Sequence, residues 1–106
     1  MHRLAPALAA RATPRVLELL GAPPGRVLEL GFAGIHARPL ELAGFEVVVV
    51  EEDPAHAARA RERGAEVAPR AEGRFDAVVA PADADLAGIE AATVVLVDEY
   101  GRASMA

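Results

Sequence analysis

The sequence predicts an α/β fold: a doubly wound, mostly parallel sheet of five strands with helices on both faces. Three observations predict it. Short apolar, β-branched runs recur along the chain, and Val47-Val48-Val49-Val50 is the clearest of them. Stretches with helical start and stop signals separate these runs. The first run ends in a glycine turn, Gly31-Phe32-Ala33-Gly34. Strands that alternate with helices at this spacing build βαβ units and a parallel sheet.

Each element has its own signature. The N-terminal segment, residues 1–24, reads as one or two short helices. Thr13-Pro14 is an N-cap followed by proline, and Gly21 with Pro23-Pro24 ends the helix. Arg26 to Leu30 is a short strand that runs into the glycine turn. A helix from about Ile35 to Ala43 follows and closes at Gly44. The run Val47–Val50 is apolar on both faces, as a central parallel strand requires. Asp53-Pro54 caps an alanine- and arginine-rich helix that ends at Gly64, and Glu66-Val67-Ala68 is the third strand. Phe75 to Ala80 is the fourth strand and Thr93 to Val97 the fifth, with a helical turn between them from Ala84 to about Ile89. Right-handed crossovers then give the strand order 3-2-1-4-5, a Rossmann-like arrangement. Its crevice lies between strands one and four, so the loops at Gly31 and at Ala80-Pro81 flank one site.

At 106 residues the chain is read as a single domain, residues 1–106. Cysteine, lysine, asparagine and glutamine are absent, and all 11 basic residues are arginine. Disulfides, thiolate chemistry, a P-loop lysine and Schiff bases are thereby excluded. The amide-poor composition is compatible with a thermophile. The net charge of −5 is uneven. Residues 1–38 hold five arginines against two acids (+3), and the remainder holds six against fourteen (−8). No basic stripe indicates nucleic-acid binding, and no apolar run is long enough to span a membrane. The start, Met1 to Pro6, makes a poor signal peptide, so the expected location is the cytoplasm.

The chemistry gathers at two places. Small residues from Gly31 to Gly34 let backbone amides approach a ligand at a helix N-terminus. Twenty residues after Gly31, the second strand ends in Glu51-Glu52, where an acid accepts hydrogen bonds from both hydroxyls of a ribose. Asp53 is most simply a helix cap. His36 and His56 read as surface residues and His2 as part of a frayed terminus, which with no cysteine leaves no metal site. Asp83, Asp85, Asp98 and Glu99 lie in loops at strand ends, either solvated or facing a polar ligand. Ser104 is the only serine, and no catalytic triad forms around it.

Across residues 14–98 the chain resembles the class I S-adenosylmethionine-dependent methyltransferase family. Val27-Leu28-Glu29-Leu30-Gly31 is similar to that family's first motif, and Val47 to Pro54 to its second. Phe75-Asp76-Ala77-Val78-Val79-Ala80 resembles its fourth strand. The resemblance implies S-adenosylmethionine as cofactor, with Gly31, Phe32, Ala33 and Gly34 along its methionine part. It implies Glu29 near the amino group and Glu51 on the ribose. Glu52, Ala68 and Pro69 are implied near the adenine, and Ala80 on the crevice floor. Ala33 stands where a glycine is usual, and no acid follows the third strand. The family's usual last helix and antiparallel strand pair do not follow the fifth strand. The expectation is therefore a truncated member, either a minimal methyltransferase or a non-catalytic relic acting through a partner.

Two other functions fit the same fold. One is a regulatory domain that senses NAD or another nucleotide. The other is an interaction protein with an empty crevice. Glu29 favours S-adenosylmethionine over NAD, because a buried acid suits an amino group and repels a pyrophosphate. With five strands, Val94 to Val97 forms an apolar sheet edge, and such edges are usually covered. The expected cover is a second copy or a larger protein partner. The alternative is the N-terminal helices or the tail from Tyr100 to Ala106.

Overall fold

The computed structural model describes residues 6–71 and 73–106; His2 lies outside them. The elements run α1 (Pro6–Arg11), α2 (Thr13–Leu20), β1 (Arg26–Leu30), α3 (Ala37–Ala43) and β2 (Glu46–Val50). They continue with α4 (Pro54–Glu62), β3 (Glu66–Ala68), β4 (Arg74–Pro81), β5 (Glu90–Val97) and β6 (Ala103–Met105). The strand order is β3-β2-β1-β4-β5-β6, parallel except for β6, so the expected order holds and gains one strand.

Register follows from burial. Val27, Leu28 and Glu29 of the central β1 sit opposite Val47, Val48 and Val49 on one side. On the other side they face Ala77, Val78 and Val79. Side chains alternate across a strand, so successive residues belong to two separate cores. Val27, Val47, Val49, Val79, Val95 and Val97 fill the first core with Val16 of α2, Leu40 of α3 and Ala60 of α4. Leu28, Val48, Val50, Val78 and Ala80 fill the second.

The second core differs from the expectation of helices on both faces. Its cover is Ala71, Ala84, Leu86 and Ile89, which lie in the segments that link β3 to β4 and β4 to β5. Ala9 of α1, Val16 of α2, Ala37 and Leu40 of α3 and Ala60 of α4 pack into the first core instead. The helical turn expected over Ala84 to Ile89 is likewise absent. That segment makes two separate turns, closed by Ala84 N–H to Pro81 O at 3.0 Å and Ile89 N–H to Leu86 O at 3.2 Å. Asp85 and Gly88 interrupt the helical pattern there: the Asp85 carboxylate takes the Ala87 N–H at 3.0 Å, and Gly88 adopts φ +82°.

The bare edge expected at strand five is also corrected. The chain turns back after Val97 and pairs β6 against β5, placing Ala103, Ser104 and Met105 opposite Val97, Leu96 and Val95. Asp98 makes the reversal, its Oδ1 accepting the Tyr100 and Arg102 N–H groups, both at 2.9 Å. The apolar edge on which the expectation of a partner rested is therefore paired within the chain.

Helix ends follow local chemistry with one exception. Asp53 caps α4 as expected, accepting from Ala55 N–H at 2.8 Å and His56 N–H at 3.4 Å. Thr13 does not cap α2; Ala12 holds the cap position and Thr13 is the first helical residue. Its hydroxyl is engaged elsewhere.

Candidate functional site

The sheet turns from β1 both to β2 and to β4, and the cleft opens where these strands end. It has a volume of about 700 Å³ and runs from Glu51 and Glu52 after β2, past Gly31 and Phe32 after β1, to Pro81 and Asp83 after β4. Asp98 and Glu99 close its far end after β5. Six carboxylates line it: Glu51, Glu52, Asp83, Asp85, Asp98 and Glu99. No arginine or histidine is among the described residues that line it. Such a wall attracts organic cations and repels phosphates.

Of the residues the resemblance implies around the cofactor, four lie on the cleft: Gly31, Phe32, Glu51 and Glu52. Ala33 and Gly34 sit behind it, Ala68 packs beside the second core, and Ala80 is wholly buried in that core. Glu29 is wholly buried as well. The acids after β4 and β5 were legible as loop residues at strand ends, but only the fold shows that they face Glu51 across one cleft.

Each glycine of the turn has a packing reason. Gly31 adopts φ +74°, and a Cβ there would stand 3.0 Å from Pro81 Cγ. Gly34 adopts φ +76°, and a Cβ would stand 3.1 Å from Ala60 Cβ and 3.2 Å from Ala60 Cα. The turn thus lies directly on α4. Ala33 adopts the left-handed conformation as well, at φ +51°.

Two amides at the turn are bound by the protein's own acids. Ala33 N–H donates to Glu51 Oε2 at 3.2 Å, and His36 N–H donates to Glu29 Oε1 at 2.8 Å. Arg63 Nη1, from the end of α4, donates to the Ala33 carbonyl. Turn amides that serve carboxylates within the chain are not offered to a pyrophosphate.

Below the turn lies a buried polar group. His36, read as a surface residue, is wholly buried. Its Nδ1 shares a 2.8 Å hydrogen bond with Thr13 Oγ1, and Phe32 stands edge-on to the ring at 4.9 Å. Burial holds the imidazole's pKa down to about 4. Burial pushes the Glu29 carboxyl up to about 7; the His36 N–H and the Arg63 charge pull the other way, and the Glu51 charge adds to the rise. Glu29 Oε2 and His36 Nε2 have no hydrogen-bond partner among the described residues. Thr13 reads in the sequence only as a helix cap and Arg63 carries no motif; their roles here appear only once α2 and α4 pack on the turn.

Among the described residues no group of three or more histidines, aspartates or glutamates is placed to hold a metal ion, and no helix is long and apolar enough to cross a membrane. No protein-family model and no curated protein sequence matches the chain. Its fold is similar to a crystal structure from Methanococcus maripaludis, that of a candidate S-adenosyl-L-methionine-dependent methyltransferase. The TM-score is 0.69 at 10% identity, over 90% of this chain and 57% of that one. The chain thus has a methyltransferase-like fold and spans little more than half the length of that protein.

Proposed function

We propose that this domain binds S-adenosylmethionine, or a closely similar cationic adenosyl compound, in the cleft at the carboxyl ends of β1, β2, β4 and β5. The observation that carries the reading is the cleft itself: about 700 Å³ at the strand-order reversal, with Glu51 on its wall at the end of β2. That volume falls within the usual range for small-molecule sites. The donor set fits the ligand. Glu51 would hold the ribose hydroxyls with Glu52 near the adenine, and the remaining carboxylates suit the ligand's sulfonium and ammonium charges. Bound S-adenosylmethionine supplies an electrophilic methyl group. Ala68 and Pro69 offer the adenine amino group no side-chain partner, so affinity would come chiefly from ribose and charge.

The same features count against NAD or ATP. Both carry negative charge into a wall of carboxylates, and the Ala33 and His36 amides already serve Glu51 and Glu29. Thermal unfolding with S-adenosylmethionine, S-adenosylhomocysteine, NAD and ATP tests the proposal. A ligand at 100 times its Kd adds about 2.7 kcal/mol to the folded state. The adenosyl compounds are expected to raise the melting temperature and the anionic nucleotides to leave it unchanged. A shift with NAD or ATP alone, or with none of the four, would overturn the reading.

A further inference from the structure

The peptide of Ala33 is held at both ends. Its N–H donates to Glu51 from the end of β2, and its carbonyl accepts from Arg63 at the end of α4. Between these two grips the residue sits at φ +51°, a conformation that alanine adopts only at a cost because its Cβ crowds the backbone. Glycine would adopt it freely. Its neighbour Gly34 rests on Ala60 of α4, so the turn and that helix are in direct contact. Glu51 lines the cleft, whereas Ala33 and Arg63 do not. One carboxylate thus faces both the ligand and the strained peptide.

We propose that Ala33 is a latch between the cleft and α4: Glu51 and Arg63 hold it closed, and a ribose that draws the Glu51 carboxylate to its hydroxyls opens it. Local strain of this kind persists only where surrounding contacts fix it, and it is released when one of them is withdrawn. Opening relieves the left-handed alanine, so the strain assists ligand entry while the Arg63 grip opposes it. Occupancy of the cleft is then read at the C-terminal end of α4, about three turns from its Asp53 cap. Arg63 acts through Ala33 and is a positioning residue.

This latch rests on the adenosyl reading of the cleft, and two variants separate the two ideas. Titration calorimetry with S-adenosylhomocysteine is run on the wild-type chain, Ala33→Gly and Arg63→Met, beside thermal unfolding of each. Ala33→Gly removes the strain, so it is expected to melt no lower than wild type yet to bind roughly fivefold more weakly, equivalent to about 1 kcal/mol of strain. Arg63→Met removes one grip, so it is expected to melt lower yet to bind more tightly. A purely structural role predicts that each variant's binding follows its stability. Binding by Ala33→Gly that equals or exceeds wild type would overturn the latch and leave the adenosyl reading standing. No binding by the wild-type chain would overturn both.

Discussion

Glu29 and His36 titrate in opposite senses under the same turn, and their effects on stability oppose each other. Glu29 has its folded-state value raised from 4.5 to about 7. As pH falls from 7 to 4.5 the folded chain takes up that proton before the unfolded chain does, so stability rises on acidification. His36 has its folded-state value lowered from 6.5 to about 4. As pH falls from 6.5 to 4 the unfolded chain is protonated first, so stability is lost. Between about pH 4.5 and 6.5 the two slopes cancel. Relative to wild type, Glu29→Gln should therefore lose stability on acidification across this window, and His36→Leu should gain it. Each difference approaches about 1.4 kcal/mol per pH unit at its steepest. Melting curves of both variants from pH 4 to 7.5 check this, and slopes of equal sign would refute it. Nothing in the sequence near His36 announces its burial, because Thr13 lies 23 residues away and reaches it only through the packing of α2.

At the level of elements, the turn and α4 fit by the absence of a side chain. Gly34→Ala should cost about 3 kcal/mol, part from the left-handed backbone and part from overlap with Ala60. Adding Ala60→Gly should restore only the share of the overlap that falls on the Ala60 Cβ, as denaturant titration of the double variant would reveal. A second prediction concerns β6. A chain ending at Arg102 leaves the Val94–Val97 edge unpaired, and it should associate in a concentration-dependent way in gel filtration where the full chain does not. An unassociated, equally stable short chain would count against the role given to β6. These elements also mark what the sequence made legible. The short apolar runs of β1, β2, β4 and β5 identified themselves, Val47–Val50 most clearly, since a central parallel strand buries such residues on both faces. Ala103-Ser104-Met105 has no such signature; it becomes a strand because Asp98 reverses the chain. The segment from Ala84 to Ile89 has helix-compatible residues, yet Asp85 binds a nearby amide and Gly88 turns the backbone. At the cleft, the strand order placed Gly31 and Glu51 side by side. It could not reveal that Glu51 also holds the Ala33 amide.

For the molecule as a whole, charge and topology coincide. All of its acidic excess follows residue 38, and six of those acids meet at the cleft. Salt screens such a field. The affinity for S-adenosylmethionine should therefore fall as ionic strength rises from 0.02 to about 0.5 M, while that for uncharged-sulfur S-adenosylhomocysteine falls less. Calorimetry at three salt concentrations measures the ratio, and a ratio that does not change with salt would remove charge from the account of the cleft.

The one-sided distribution of helices makes the two walls of the cleft unequal. The wall at Glu51 is tied through the turn to α4 and the first core, whereas Asp83 and Asp85 lie on a segment that covers the second core with two turns and no helix. Segments with few internal hydrogen bonds open at lower free energy than packed helices. A ligand's discrimination should consequently be strict for the portion that meets the first wall and lenient for the portion that meets the second. Such a pocket would tolerate a family of compounds that share one end and differ at the other.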